Sequence, residues 1–407
     1  MAMQAHIERP TYKREKPAPE TRPLLERLHW VHVILLSTTP LLALYGALTT
    51  AVQTKTMILM VVVYLISGLG ITAGYHRLWA HTSYSARYPL QLALAIAGSA
   101  AVQGSIFWWS RDHRVHHRYT DTTQDPYNAL EGFWHSHLGW MLVKKDRRRL
   151  GYADTSDLKT NPLVRWQHKH YPILVLTFGV LIPTSIAGVF WNDWRGGFFY
   201  ATVLRMVLLH HATFCINSLA HTIGAATYDD IQTARDSWFT AFVTMGEGYH
   251  NFHHQFPNDY RNAIRFYQYD PTKWFIRTMA TFDLAYDLKT FPANEIEKGF
   301  IAMRMKELKQ REVRLDFGSP VDKLPVYTEQ EFLDQVKVYS KQWMVIEGYI
   351  YDVKSFMNDH PGGKALLKGG VGKDMTEAFN GGVYSHHNAA RNLMNTSLRI
   401  GRLQPTF

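Results

Sequence analysis

Cysteine is nearly absent: Cys215 is the only one in 407 residues. That excludes an intramolecular disulfide, a cysteine zinc site and an iron–sulfur cluster, so any metal must be held by His, Asp or Glu. The first segment, "MAMQAHIERPTYKREKPAPETRP", lacks a signal-peptide core. Its charges and prolines read as a flexible cytosolic arm over residues 1–28. No nucleic-acid motif, internal repeat or low-complexity tract accompanies the net charge of +10. Anionic lipid or a phosphate-bearing substrate is therefore the expected counterpart, and no nucleic acid. Mean hydropathy is an ordinary -0.21, so a membrane reading requires the apolar residues to be concentrated.

They are. Four stretches approach the ~20 apolar residues needed to span a bilayer. They lie at about 30–53, 56–75, 171–191 and 197–221, two pairs joined by very short loops. Together they predict membrane hairpins rather than isolated core helices. The fourth holds Arg205, His210, His211, Asn217 and His221; polar groups in a span are costly and usually face a site. A fifth apolar stretch, 88–109, is long enough to cross. If it crossed, the histidines on its two sides would lie ~30 Å apart and could not share a metal. It is expected to lie against the membrane or dip into it. Four spans place both termini on one side. Lys13, Arg14, Lys16, Arg22, Arg27 and "KKDRRR" (144–149) weight that side, which makes it cytosolic.

Histidine, by contrast, is plentiful at 21. "HRLWAH" gives His76 and His81, "HRVHH" gives His113, His116 and His117, and "HNFHH" gives His250, His253 and His254. The outer histidines of each HxxHH are four apart and share a helix face. HxxxxH is less face-aligned and needs partners from elsewhere. Neutral imidazole suits Fe, Zn, Cu or Ni. Eight clustered histidines exceed what one ion holds, so two ions are indicated. A dinuclear histidine site beside a membrane fits oxygen-activating iron, which can take hydrogen from an unactivated C–H bond.

From about 324 the texture changes. Strand-like alternation around "WMVIEGYIYDV" and Gly-rich turns predict a small soluble α+β domain over 324–407, joined through a linker at 316–323. "DHPGG" places His360 at a tight turn, and "YSHHNAA" places His386 and His387 downstream. Two histidines can hold a haem iron from both sides.

"GITAGYHRLWAH", "WWSRDHRVHH", "NSLAH" and "GEGYHNFHH", in that order, resemble the membrane-bound acyl-CoA Δ9-desaturases over about 28–285. The resemblance implies a mainly α fold: a four-span desaturase domain (29–315) with a cytosolic helical cap. It implies a di-iron site held by His76, His81, His113, His116, His117, His221, His250, His253 and His254, with Asn217 acting through a water. His221 is the ninth ligand. It follows Asn217 by four residues, which in a helix places both on one face. His135, His137, His210 and His211 match no ligand position. A narrow, kinked acyl tunnel is implied, with Gln103, Trp109 and Thr213 at the kink, Arg111 and Asp112 at the CoA end, and Tyr64 and Gly68 near the closed end. A glycine at 68 would leave room for a long chain.

The segment 325–403 resembles cytochrome b5, whose pattern favours His386 over His387 as the partner of His360 on haem b. A C-terminal haem domain, with His250 opening the third box, resembles the fungal type of the family. The implied reaction is oxygen-dependent insertion of a cis double bond into stearoyl- or palmitoyl-CoA in the endoplasmic reticulum membrane. The implied electron source is NADH-dependent cytochrome b5 reductase. The rivals are an acyl-lipid desaturase or a hydroxylase on the same scaffold, and a membrane haem carrier without oxygenase chemistry.

Overall fold

The computed structural model describes residues 23–144 and 150–405. Residues 1–22 of the expected arm and 145–149 of "KKDRRR" lie outside the described residues. The chain divides into two compact units, Met1–Arg304 and Met305–Phe407.

The main helices of the first unit are α1 (Trp30–Thr49), α2 (Thr54–Ala80), α3 (Tyr88–Ala100), α4 (Ile106–Tyr119), α5 (Pro162–Trp191), α6 (Trp194–His221), α7 (His250–Gln255) and α8 (Pro271–Thr281), and α9 (Ala293–Glu312) runs across the division at Arg304. Four of them, α1, α2, α5 and α6, are long and apolar enough to cross a bilayer. Their apolar surface faces outward: Leu48 is 77% and Phe190 76% exposed, as a hydrocarbon solvent requires. α1 buries only Thr39, Ala43 and Gly46, small residues that let helices approach closely. At the α5–α6 turn, Asp193 accepts from Gly196 N (2.9 Å) and from Thr56 Oγ1 (2.5 Å). That ties the turn to the start of α2.

α3 has 13 residues, or ~20 Å of helix, against the ~30 Å of a hydrocarbon core. It does not cross. It packs on α2 so closely that a Cβ on Gly70 would overlap the Gly98 backbone. α2 and α5 extend beyond their apolar runs. Residues Gly70–Ala80 are all buried, so protein rather than lipid surrounds them. Asn161 caps the early start of α5 by accepting from Leu163 N and Val164 N. His76 therefore lies within the second span's helix, not after the span.

In the second unit, strands β3 (Val326–Tyr327), β4 (Trp343–Ile346), β5 (Tyr349–Asp352) and β6 (Arg399–Leu403) form a sheet in the order β3-β6-β5-β4. These follow the first unit's short pair, β1 (Ser85–Ala86) and β2 (Ala285–Tyr286). Glu347 (φ 54) and Gly348 (φ 78) make the two-residue β4–β5 hairpin turn. The strands alternate between two apolar layers. Met344 and Ile346 pack with Met357 and Phe379, while Trp343 and Val345 pack with Phe332. Residues 316–323 are not a free linker: Thr396 Oγ1 donates to Asp316 O (3.3 Å) and Arg399 Nη2 to Ser319 O (2.9 Å). These bonds bring the segment into the second unit.

Candidate metal centre and haem site

Nine histidines converge as two groups, within each of which the ligand atoms lie within 4.8 Å of one another. One group is His76, His81, His113, His117 and His253; the other is His116, His221, His250 and His254. Each HxxHH motif is divided between them. The i,i+4 pair His113/His117 joins the first group and His116 the second; His250/His254 joins the second and His253 the first. A helix face explains the paired members, and the intervening imidazole points to the neighbouring group.

His76 and His81 lie five apart, which an α-helix would splay. The end of α2 is instead π-helical over Gly70–Ala80, and His81 N donates to His76 O (3.0 Å). That i→i+5 turn brings the two imidazoles together edge to face, with ring centres 4.7 Å apart. HxxxxH is thus aligned by its own backbone. α6 departs from regularity too. It is π-helical over Gly197–Leu204 and α-helical over Arg205–Asn217, breaks at Ser218 and tightens to a 3-10 turn over Leu219–His221. Asn217 and His221 are therefore not related by uniform α-helical spacing. The Asn217 side chain is half-buried.

Five of the outward nitrogens face a polar group. His116 Nδ1 lies 2.9 Å from Asp125, His221 Nδ1 2.8 Å from Thr233 Oγ1, His254 Nδ1 3.1 Å from Gln232 Oε1 and His113 Nδ1 3.1 Å from Tyr127 OH. Thr233 Oγ1 donates onward to Asp121 (2.6 Å), so it accepts from His221. His76 Nδ1 lies 3.1 Å from Glu247 Oε2. Where the partner can only accept, Nδ1 carries the proton and Nε2 keeps its lone pair. His116 and His254 are such a pair, and their Nε2 atoms lie 3.3 Å apart. Two lone pairs cannot hydrogen-bond to each other; a shared cation satisfies both. Burial, reinforced by neighbouring imidazoles, pushes His81, His113, His117, His250, His253 and His254 well below the usual imidazole pKa. They are neutral, the form that binds metal. The donor set fits first-row transition metals.

Asp121, Asp125, Gln232, Thr233 and Glu247 escaped the sequence reading. Asp121 and Asp125 follow the second box directly, and Glu247 lies inside "GEGYHNFHH". A carboxylate within reach of a histidine box was the available signal.

Of the expected substrate contacts, Gln103 Nε2 donates to Thr213 Oγ1 (2.9 Å). Trp109 stacks on His113 with ring centres 4.9 Å apart. Arg111 Nε donates to Asp112 Oδ1 (2.7 Å), so these two are paired with each other. Tyr64 packs against the core of α2, α3 and α4. The room expected over Gly68 is filled: a Cβ there would overlap Met245 Sδ. Beside His81 and His117 opens a cavity of about 580 Å³, lined also by Arg114, Arg118 and Asp157. The four unassigned histidines find other partners. His137 bonds Ser218 and His211, His210 bonds Ala101 O and Val102 O, and His135 pairs with Glu131.

In the second unit, the rings of His360 and His386 face each other with centres 6.3 Å apart. Imidazoles each about 2 Å from one iron give roughly that separation. His360 Nδ1 lies 3.3 Å from Gly363 O and His386 Nδ1 3.0 Å from Phe379 O, which leaves both Nε2 lone pairs available to a metal. Phe379 stacks on His386 at 4.2 Å. A Cβ on Gly362 would lie 2.9 Å from the His360 ring, so the turn needs glycine there. Leu366 is exposed beside the His360 turn, an apolar side chain suited to a macrocycle. His387 is exposed and bonds Tyr384 OH through Nε2 (3.2 Å).

Four spans and two adjoining clusters of neutral imidazoles define a membrane metalloprotein. Residues 55–289 match the model for the fatty acid desaturase family, and residues 328–404 that for the cytochrome b5-like heme/steroid binding domain. The facing histidines favour haem over steroid in the latter. The chain is 51% identical to a probable acyl-CoA desaturase of Schizosaccharomyces pombe, covering 91% of this chain and 76% of that protein. It is 47% identical to acyl-CoA desaturase 1 of Saccharomyces cerevisiae, over 91% of this chain and 72% of the relative. It is 39% identical to the human stearoyl-CoA desaturase, over 73% and 82%. The chain belongs to the fatty acid desaturase family and carries a C-terminal cytochrome b5-like domain.

Proposed function

We propose that this protein is an oxygen-dependent acyl-CoA Δ9-desaturase that inserts a cis double bond into stearoyl- or palmitoyl-CoA. One observation carries the reading: nine imidazoles, seven buried and two half-buried, divided five and four about two centres. The names of the yeast and human relatives support the substrate class. Two irons held by these groups supply the oxidising power needed to remove hydrogen from an unactivated C–H bond.

The chain's own residues do the rest. Asp125, Glu247, Gln232 and the Thr233–Asp121 relay hold the imidazoles in one tautomer and orientation. Trp109 packs the acyl chain against His113, and the Gln103–Thr213 bond shapes the bend beside it. Asn217 holds a water next to the second group. Arg111 and Asp112 lie at the CoA end of the chain. Tyr64 and Gly68 bound the far end of the chain.

His360 and His386 hold haem b, and this domain delivers electrons received from NADH-dependent cytochrome b5 reductase. The protein works in the endoplasmic reticulum membrane with both termini in the cytosol. Purified protein given saturated acyl-CoA, NADH, reductase and O2 is expected to yield one cis double bond at C9, located by mass spectrometry. It is expected to carry about two irons beyond the haem. A hydroxylated product would favour the hydroxylase rival, and haem iron alone would refute the enzyme.

A further inference from the structure

Arg205 is fully buried in the fourth span, and among the described residues it faces carbonyls rather than a carboxylate. Nη1 donates to Ala100 O (2.7 Å) and Nη2 to Gly179 O (2.9 Å). A buried arginine in a span is costly unless it has a task. Its first target is the C-terminus of α3, where a cation complements the helix dipole. One turn onward, His210 Nε2 lies 3.0 Å from both Ala101 O and Val102 O. Carbonyls only accept, so this nitrogen donates.

The held turn is unusual. Val102 has φ 59, in the left-handed region, where a β-branched residue is strained. Such a conformation persists only where its surroundings over-determine it. The next residue is Gln103, whose amide bonds Thr213, three residues after His210 on the same helix. α4 then begins at Ile106 and carries Trp109 against His113. α6 therefore grips four successive residues, Ala100 to Gln103, just ahead of the helix that bears the second histidine box.

We propose that Arg205 and His210 are positioning residues for bond selection. By holding Val102 in its left-handed conformation they fix Gln103 against Thr213, and so set which carbon of the chain faces the metal-binding imidazoles. This rests on the desaturase reading. Neither residue touches the metals or the reacting carbons, so the distinguishing readout is the position of the double bond.

His210→Leu removes both carbonyl bonds and keeps an apolar side chain. Arg205→Lys keeps the charge and loses the fork that spans two carbonyls. Each is expected to retain wild-type iron content while the fraction of product unsaturated at neighbouring carbons rises roughly tenfold. Product confined to the wild-type carbon in both variants, at any rate of turnover, overturns the proposal. Failure of both variants to accumulate also overturns it, since the residues would then be folding determinants. If only one accumulates, its isomer distribution decides. A wild-type protein that forms no double bond refutes the desaturase reading itself, a separate result.

Discussion

Arg77 and Glu247 form a buried ion pair at 2.8 Å, each side chain 1% exposed. Arg77 also donates to Asp270 (2.9 Å) and Tyr260 O (2.7 Å), and Glu247 faces His76 Nδ1. Burial alone would raise the Glu247 carboxyl, but Arg77 and His76 outweigh it and hold it at about 2. The carboxylate is therefore a fixed negative charge behind a metal-binding imidazole. Glu247→Gln keeps the shape and removes that charge. It is expected to cut metal affinity or activity by roughly 10–100-fold, measured by iron content and product formation. The haem spectrum should not change. Wild-type iron content and turnover in this variant would refute the anchoring role.

The unequal groups respond unequally to truncation. His221→Ala leaves three imidazoles in the four-membered group, and His117→Ala leaves four in the five-membered one. His221→Ala is expected to lose about one of two irons, whereas His117→Ala should retain more metal while losing product formation. Elemental analysis of the two purified variants makes the comparison. Equal iron loss would contradict the division into five and four.

In the second unit, His360→Ala and His386→Ala are each expected to abolish the spectrum of a two-histidine haem. His387→Ala should leave it intact, because that ring is exposed and committed to Tyr384. Absorbance of the reduced protein distinguishes them. Loss of the spectrum in His387→Ala would reassign the ligand.

Some of this was legible in the sequence. Eight histidines announced themselves, because imidazole at helical spacing has few other uses. Their division was hidden, because i,i+3 and i,i+4 neighbours are both plausible partners until the helices are docked. The alignment of His76 with His81 depends on a π-helical turn where α2 and α3 meet through Gly70 and Gly98; no local propensity encodes that contact. The spans outran their apolar sequence where protein, not lipid, covers the helix. Asp125 and Thr233 look like ordinary loop residues until folding puts them behind His116 and His221.

Asp236 holds the third box from below: it accepts from Asn251 N (2.9 Å) and Phe252 N (3.1 Å) at the start of α7. Burial raises its carboxyl from an ordinary 3.8 to about 6, against hydrogen bonds from Thr227, Phe252 and Asn251. Between those values the folded state binds more protons than the unfolded one. This group's contribution to stability is thus full below about 3.8 and is lost as pH rises through about 6. Relative to Asp236→Asn, the wild-type melting temperature in detergent should fall by a few degrees over that window, about 2–4 °C for a chain this large. Parallel pH profiles would contradict the raised value.

On the proposed reading, Gly68 borders the far end of the acyl chain, and Met245 is the residue packed against Gly68. It is buried, has φ 56 and is followed by Gly246 at φ 100. Its sulfur occupies the space that Gly68 leaves on α2. The glycine therefore makes room for a methionine, and the two fill the space between them. Methionine is unbranched and adapts to irregular gaps, so it can be traded for space without dismantling the helix. Met245→Ala is expected to deepen the end of the tunnel and shift preference toward longer acyl-CoA. Gly68→Ala should push the thioether inward and shift it toward shorter chains. One methylene in an apolar pocket is worth about 10–200-fold in discrimination, so competition between palmitoyl- and stearoyl-CoA should move by at least roughly tenfold in opposite directions. An unchanged product ratio in both variants would place the end of the tunnel elsewhere.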